Sequence, residues 1–278
     1  MLTSEIGRHG ELRLRFVQRQ NKTTLVENYS RPPLQVMRPI PGGSGSLCIY
    51  LLSPTGGVVQ GDLYNIVLEL DAQTHVLFTT TSATRVYKMP IAQAKQHIQV
   101  TIQQGAILEF VPDATILYAG ADFRQTMEVT LQPGSLLILH DLVMPGRLAQ
   151  GEFLQFRRYS NRLIVRDVAG LLLYDSVQLE PAAMNLQQAG ILEGFSCWGS
   201  FYVLGDITRW QFDMDSLYQT YTGFSLTDDT LSAASLLSRN GFCVRIVGNR
   251  LESIYAHFAE LRLNLRVRLG LSGETLRK

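Results

Sequence analysis

Cysteine is scarce in this chain of 278 residues: there are three, Cys48, Cys197 and Cys243. They are far apart, odd in number, and set beside apolar neighbours such as Ile49, Trp198 and Phe242. No Cys-x-x-Cys pair exists, so buried reduced thiols are expected rather than bridges or metal ligands. An excess of one charge is also lacking. Lys and Arg number 25 against 24 Asp and Glu, a formal net charge of +1. Such a balance has no long-range field to attract DNA, RNA or an anionic bilayer, so neither nucleic acid nor membrane is an expected partner. The five histidines never form His-x-His or His-Glu-x-x-His, which argues against a tight zinc or nickel site. No Gly-x-Ser-x-Gly elbow surrounds any serine, and Gly199-Ser200 lacks the flanking glycines. Asp and Glu are plentiful, but no spacing singles out a catalytic pair. A signal-peptide core is absent from residues 1–10, which carry Glu5, Arg8 and His9, and no run reaches membrane-spanning length. A soluble, cytoplasmic protein is expected.

What the chain does have is apolar residues, 46% against 18% charged, enough for a large core. Alternation of period two is clear in Tyr64, Ile66, Leu68 and Leu70, in Ile98, Val100 and Ile102, and in Met127, Val129 and Leu131. Each run predicts a half-buried strand. Gln104-Gly105, Pro133-Gly134 and Pro145-Gly146 punctuate them, and Ala169-Gly170 predicts a hairpin between 163–168 and 171–177. The class is mainly β. No exact repeat is present, so periodicity alone does not establish a solenoid.

The texture changes after about residue 181. Leu251, Ile254, Phe258, Leu261 and Leu265 follow helical spacing and predict a long amphipathic helix that Gly270 stops. A shorter helix through Leu231, Ala234 and Leu237, capped by Asp228 or Asp229 and ended by Asn240-Gly241, is expected before a strand at 242–247. No linker divides these parts. A single domain over 1–278 is therefore expected, with a β-rich body at about 10–180 and a mixed α/β part at about 181–278.

Residues 53–62, Ser-Pro-Thr-Gly-Gly-Val-Val-Gln-Gly-Asp, space Gly56 and Gly61 as a P-loop does. Asp62 and Leu63 stand where such a loop needs Lys and Ser or Thr. A carboxylate there repels a triphosphate, and leucine offers nothing to magnesium. Four further constellations carry polar chemistry. Thr79 to Lys88 is a run of hydroxyls with Arg85 and Tyr87, equally a strand with a polar turn or a functional surface. Glu109 sits among apolar residues and is expected exposed more often than buried with a partner. His140-Asp141 precedes Arg147 and Glu152, for which a loop-bracing ion pair is the simplest expectation. Arg166-Asp167 and Tyr174-Asp175 flank the hairpin as solvated charge.

Taken in order, these segments resemble the urease accessory protein UreD family, called UreH in some organisms. The family's Pro-x-Gly-Gly-x-x-x-Gly-Asp loop is similar to Pro54, Gly56, Gly57, Gly61 and Asp62. Its Thr-Thr-x-x-Ala-Thr-Lys-Val-Tyr block is similar to Thr80, Thr81, Ala83, Thr84, Arg85, Val86 and Tyr87. Gly105, Ala106, Leu108, Glu109, Pro112, Thr115 and Ile116 resemble the third block, and Asp141, Pro145, Gly146, Arg147, Ala149, Gly151 and Glu152 the fourth.

The resemblance implies a β fold whose strands wind in a helix-like, solenoid-like stack, with a few helices gathered near the C-terminal end. It also implies a non-enzymatic scaffold that binds apo-urease and, with UreF and the GTPase UreG, supports nickel insertion, dimeric only within that accessory complex. Nucleotide belongs to the partner. Nickel that must be passed on has to be held weakly, so no tightly bound cofactor is expected, only transient nickel(II) on oxygen ligands. Asp62, Glu109, Asp141 and Glu152 are the candidate transient ligands. Gly56, Gly57, Gly61, Thr80, Thr81, Thr84 and Tyr87 would line or brace the route, with Arg147 as a structural clamp. Two other classes compete: an adaptor that grips UreF through helix 251–270, Tyr218 and Tyr221 without passing metal, and a hydrolase with carboxylates around His140, which has no motif behind it.

Overall fold

The alternating runs become strands whose apolar sides face each other across two sheets. The computed structural model describes residues 9–206, 214–221 and 229–271. In chain order the strands are β1 (His9–Arg19), β2 (Lys22–Arg31), β3 (Gln35–Val36), β4 (Ile40–Pro41), β5 (Leu47–Leu52), β6 (Leu63–Leu70), β7 (His75–Thr80), β8 (Thr84–Val86) and β9 (Ala94–Ile102). There follow β10 (Ile107–Phe110), β11 (Thr115–Leu117), β12 (Asp122–Leu131), β13 (Leu136–Met144), β14 (Arg158–Asp167), β15 (Gly170–Leu179), β16 (Cys197–Gly205), α1 (Met214–Tyr221), β17 (Thr230–Leu236), β18 (Gly241–Gly248) and α2 (Leu251–Arg268).

From β5 to β14 the chain passes back and forth between the sheets. Strands β6, β9, β12 and β14 lie side by side and parallel in one; β5, β7, β10 and β13 do the same in the other. Each lap adds one rung to each sheet, which is the solenoid-like winding that the resemblance implied and that period-two patterning could not reveal. The first sheet has seven strands in the order β15-β14-β12-β9-β6-β1-β2, and the second has eleven along the path β17-β18-β16-β13-β10-β7-β5-β3, with β4, β8 and β11 beside it. Antiparallel strands extend the ends: β2 on β1, β15 on β14, and β16, β18 and β17 beyond β13. The hairpin expected around Ala169-Gly170 is β14–β15.

Leu12, Ile66, Ile98, Met127 and Leu163 of the first sheet meet Phe78, Leu108, Phe110 and Leu137 of the second in one continuous core. Burying each such side chain stabilises by about 1.5–3 kcal/mol. The second sheet is apolar on its other face too. Ile138, Phe201 and Val244 pack there against Ile254, Phe258, Leu261 and Leu265 of α2, the stripe that helical spacing predicted. Gly270, at φ +66°, follows its last turn as expected. All three cysteines are buried and none is in a disulfide.

One element differs from expectation. Residues 230–236 form strand β17, not a helix, and pair antiparallel with β18 from Thr230↔Gly248 to Leu236↔Phe242. Asn240, at φ +47°, and Gly241 close that hairpin, because Asn-Gly supplies left-handed backbone to a strand turn as readily as to a helix end. A helix of two turns is marginal by itself, and the ladder with β18 prevails. Asp228 lies outside the described residues.

Candidate functional site

The Gly-rich loop runs from β5 to β6 and is fastened to β8. Val58 N–H donates to the Arg85 carbonyl at 2.7 Å, and Tyr87 N–H to the Val58 carbonyl at 2.9 Å. A Cβ on Gly57 would lie 2.4 Å from the Arg85 carbonyl oxygen, so only glycine permits this approach. Asp62 is buried, its Oδ2 accepting from Val59 N–H at 2.8 Å and from the Tyr64 hydroxyl at 2.7 Å. It braces the loop and lines neither of the two cavities between the sheets. Burial first, and then the Asp62 carboxylate, raise the Tyr64 phenol above its ordinary range, so Tyr64 stays the donor.

The hydroxyl run divides between the faces of β7. Thr79 donates to the Val111 carbonyl at 2.7 Å, while Thr80 turns to the gap between the sheets and accepts Asp113 N–H at 2.8 Å. Tyr255 of α2 donates to Asp113 Oδ1 at 3.0 Å and accepts Ala114 N–H at 2.7 Å. His140, on the helix-facing side of β13, stacks on Phe258 at 5.8 Å, and its Nε2–H donates to the Pro112 carbonyl at 2.7 Å. Among the described residues it belongs to no group of three or more His, Cys, Asp or Glu side chains that could hold a metal ion.

Between the sheets the apolar core is interrupted by amides. Gln96 of β9, Gln125 of β12 and Asn161 of β14 are register partners on three neighbouring strands and all point inward. Gln96 Nε2 donates to Gln125 Oε1 at 2.8 Å, Gln125 Nε2 to Asn161 Oδ1 at 3.2 Å, and Asn161 Nδ2 to Asp141 Oδ2 at 2.7 Å. The ladder crosses one sheet and ends on a carboxylate of the other. Asp141 also accepts a long bond, 3.5 Å, from the Tyr159 hydroxyl. Burial is the main reason its carboxyl is raised to about 6, the Asn161 and Tyr159 hydrogen bonds opposing and the neighbouring Asp175 adding to the rise. Asp175 itself accepts from the Tyr202 hydroxyl and from Arg245.

The ladder borders open space. A cavity of about 70 Å³ is lined by Thr80, Thr84, Gln96, Asp113, Gln125, His140, Asp141, Asn161 and Tyr202 among apolar residues. A second, also of about 70 Å³, is lined by Ser53, Gly56, Gly57, Tyr64, Thr81, Ser82 and Arg85 together with Leu51, Thr80, Thr84 and Gln96, which belong to both. Each is roomy and polar enough for ordered water. The two meet at Thr80, Thr84 and Gln96 and extend from the Gly-rich loop to Asp141.

The remaining candidates lie elsewhere. Arg147 and Glu152 form the expected ion pair, Nε to Oε2 at 2.8 Å, and the Arg147 guanidinium sits 4.3 Å over the Tyr118 ring. Tyr118 in turn meets Tyr87 edge-on at 5.1 Å, so Tyr87, Arg147 and Glu152 brace one surface pile. Gly61 borders neither cavity. Glu109 is fully buried, contrary to the exposure expected of it. It stands on the helix-facing side of the second sheet, bonded to His75 Nε2 at 2.7 Å, to Arg262 Nη1 at 2.9 Å and to Arg266. Burial works against its ionisation, but the bond and charge of His75 and the charges of Arg266 and Arg262 outweigh it and hold the carboxyl well below the usual carboxylate range. The sheet is covered on both faces, so alternation left no exposed side for this residue. Both Glu109 oxygens are engaged, and Asp141 faces the opposite side of that sheet. Thus Asp141, Thr80, Thr81, Thr84, Gly56 and Gly57 are brought together, whereas Asp62, Glu109 and Glu152 each serve a separate contact. Among the described residues no three His, Cys, Asp or Glu side chains converge to hold a metal ion.

The sequence model of the family described as UreD urease accessory protein matches residues 8–277. A urease accessory protein UreD of Haloarcula marismortui is 31% identical over 255 residues, covering 90% of this chain and 83% of its own length. One from Arthrobacter sp. is 30% identical over 275 residues, covering 97% and 94%, and one from Bacillus cereus is 29% identical, covering 90% of each chain.

Proposed function

The chain belongs to the UreD urease accessory protein family, and from that premise we propose that it is a non-enzymatic scaffold which, with UreF and the GTPase UreG, holds apo-urease while nickel is inserted, passing the ion through its own interior. The work is done in the cytoplasm, by one domain that is dimeric only within the accessory complex, and without a tightly bound cofactor. The observation that supports a route is the pair of adjoining cavities between the sheets, apolar in part but carrying hydroxyl, amide and carboxylate groups, joined at Thr80, Thr84 and Gln96 and ending at Asp141.

The lining suits a passing ion. Threonine hydroxyls, amide oxygens and the carboxylates of Asp113 and Asp141 are hard donors, and they can exchange with the water of a hydrated divalent cation without the grip of thiolate; the imidazole in the lining, His140, is committed through Nε2 to the Pro112 carbonyl. A carboxyl that titrates near 6 adds to this, since the ion competes with a proton for Asp141 and neither is held firmly. Asn161, Gln125 and Gln96 fix the direction of Asp141 through their ladder. Arg147 takes no part in metal contact, because it is committed to Glu152.

The test pairs two measurements: nickel per active site of urease matured with Asp141→Ala or Asn161→Leu, and the amount of complex recovered by gel filtration. The route requires nickel loading to fall at least several-fold while the complex still forms. Loading that follows complex recovery alone would make the protein an adaptor, with no metal passing through it.

A further inference from the structure

The outer face of the seven-stranded sheet, opposite the face that borders the cavities, carries an open groove of about 890 Å³ across β6, β9, β12 and β14. Lys95 and Arg124 are register partners there, and Arg162 is the partner of Thr126 on the next strand. Arg31 stands at the far edge, paired with Glu11 in the β1–β2 ladder. Five cations and three carboxylates line the groove; Glu11 is paired with Arg13 and Glu180 with Arg158, while Glu128 lies 3.9 Å from the His97 imidazole and is paired with it only when that ring is protonated. Arg158 is further occupied by Asp122. Among the described residues no ion pair involves Arg31, Lys95, Arg124 or Arg162, and Arg162 Nε is buried without a hydrogen-bond partner. In a protein whose net charge is +1, this is a local concentration of unneutralised positive charge.

We propose that this groove docks an acidic polypeptide segment of a partner protein, a role separate from metal passage and independent of it. Neighbouring strands are about 4.8 Å apart, so five strand gaps from β2 to β14 spread the free cations over roughly 24 Å. Such a span matches carboxylates distributed along a peptide rather than one small anion. Glu11, Glu128 and Glu180 interrupt the cations and would repel the unbroken phosphate chain of a nucleic acid. Asn65, Thr126, Ser160 and Gln178 furnish the floor with hydrogen-bonding groups for peptide amides.

The probe is a fluorescein-labelled dodecapeptide of alternating Glu and Ser, titrated with the full-length protein by fluorescence anisotropy at low and high salt, about 50 and 500 mM. Saturable binding is expected at low salt and loss of it at high salt. Lys95→Glu with Arg124→Glu, and Arg162→Glu separately, should each weaken binding at least tenfold, and Arg19→Glu, on a cation away from the groove, should leave it intact. The neutral pair Lys95→Gln with Arg124→Gln guards against misfolding of the reversed variants and should weaken binding at least threefold. Unchanged affinity in the neutral pair would overturn the proposal. So would displacement of the peptide by equimolar inorganic phosphate, which would mark a small-anion site, or tighter binding of an oligonucleotide of equal charge.

Discussion

Replacing Glu109 with Gln keeps the shape of the side chain and removes its charge. In the native protein Glu109 and Arg266 have no exposed surface and Arg262 is 7% exposed, so both guanidiniums would lose the Glu109 charge where water cannot replace it. Breaking a buried ion pair from one side costs about 3–5 kcal/mol. Unfolding entropy of about 2.1 cal/mol/K per residue, taken over the 278 residues, turns that into a fall in Tm of roughly 5–9 °C. The contribution also has a definite pH dependence. Because the folded carboxyl is held below its ordinary 4.5, its stabilisation is complete above that value and is lost as pH falls through the folded one. Thermal denaturation followed by circular dichroism, for the wild type and Glu109→Gln, should therefore show a wide gap at pH 7 that narrows on acidification. Replacing the whole cluster, Glu109→Leu with Arg262→Met and Arg266→Met, should recover most of the loss, since apolar side chains of similar volume need no counter-ion. A Tm for Glu109→Gln within about 1 °C of wild type would refute the assignment of this cluster as the bolt between α2 and the second sheet, because a lost buried pair must shift a chain of this length by several degrees.

Asp141 gives the opposite pH behaviour. Its folded carboxyl, at about 6, is raised from 3.8, so its favourable contribution is complete below 3.8 and is lost as pH rises through 6. Asp141→Asn should then match wild type near pH 4 and exceed it by roughly 1–3 kcal/mol at pH 8, as read from urea midpoints at the two pH values; equal midpoints at pH 8 would contradict it. Gly57→Ala should cost about 1–3 kcal/mol through overpacking against the Arg85 carbonyl, and because the loop borders the second cavity, nickel loading of urease should fall with it. A Gly57→Ala protein of native Tm would show that the loop is not held as described.

Much of the fold was legible because period-two alternation is a local signal: β6, β9, β12, the β14–β15 hairpin and the α2 stripe all follow from neighbouring residues. The order in which strands pair is not local. Two sheets built rung by rung from parallel strands look, in sequence, like any series of half-buried strands, and only resemblance to a known family pointed to the winding. β17 was misread because Leu231, Ala234 and Leu237 fit helical spacing as well as they fit an edge strand, and pairing with β18 decided between them. The site was legible in part. Thr80, Thr84 and Asp141 stood out as polar groups in motif-like blocks, whereas Gln96, Gln125 and Asn161 did not. Their signal was present: each occupies a position where alternation calls for an apolar residue, two before Ile98, Met127 and Leu163. Glu109 carried the same kind of signal, but its partners Arg262 and Arg266 are some 150 positions later and nothing in the spacing joins them.

The passage of metal is tested most directly by a reversible plug where the two cavities meet. Thr84→Cys places a thiol there, while the native cysteines are buried, with burial pushing the Cys197 thiol up to about 12 and raising Cys243 as well, so a small methanethiosulfonate reagent should modify the new thiol selectively. Nickel per urease active site, measured by mass spectrometry after maturation with the modified protein, should drop to background and return when the adduct is reduced, with complex recovery unchanged throughout. Full modification that leaves nickel loading at the wild-type level would contradict an internal route.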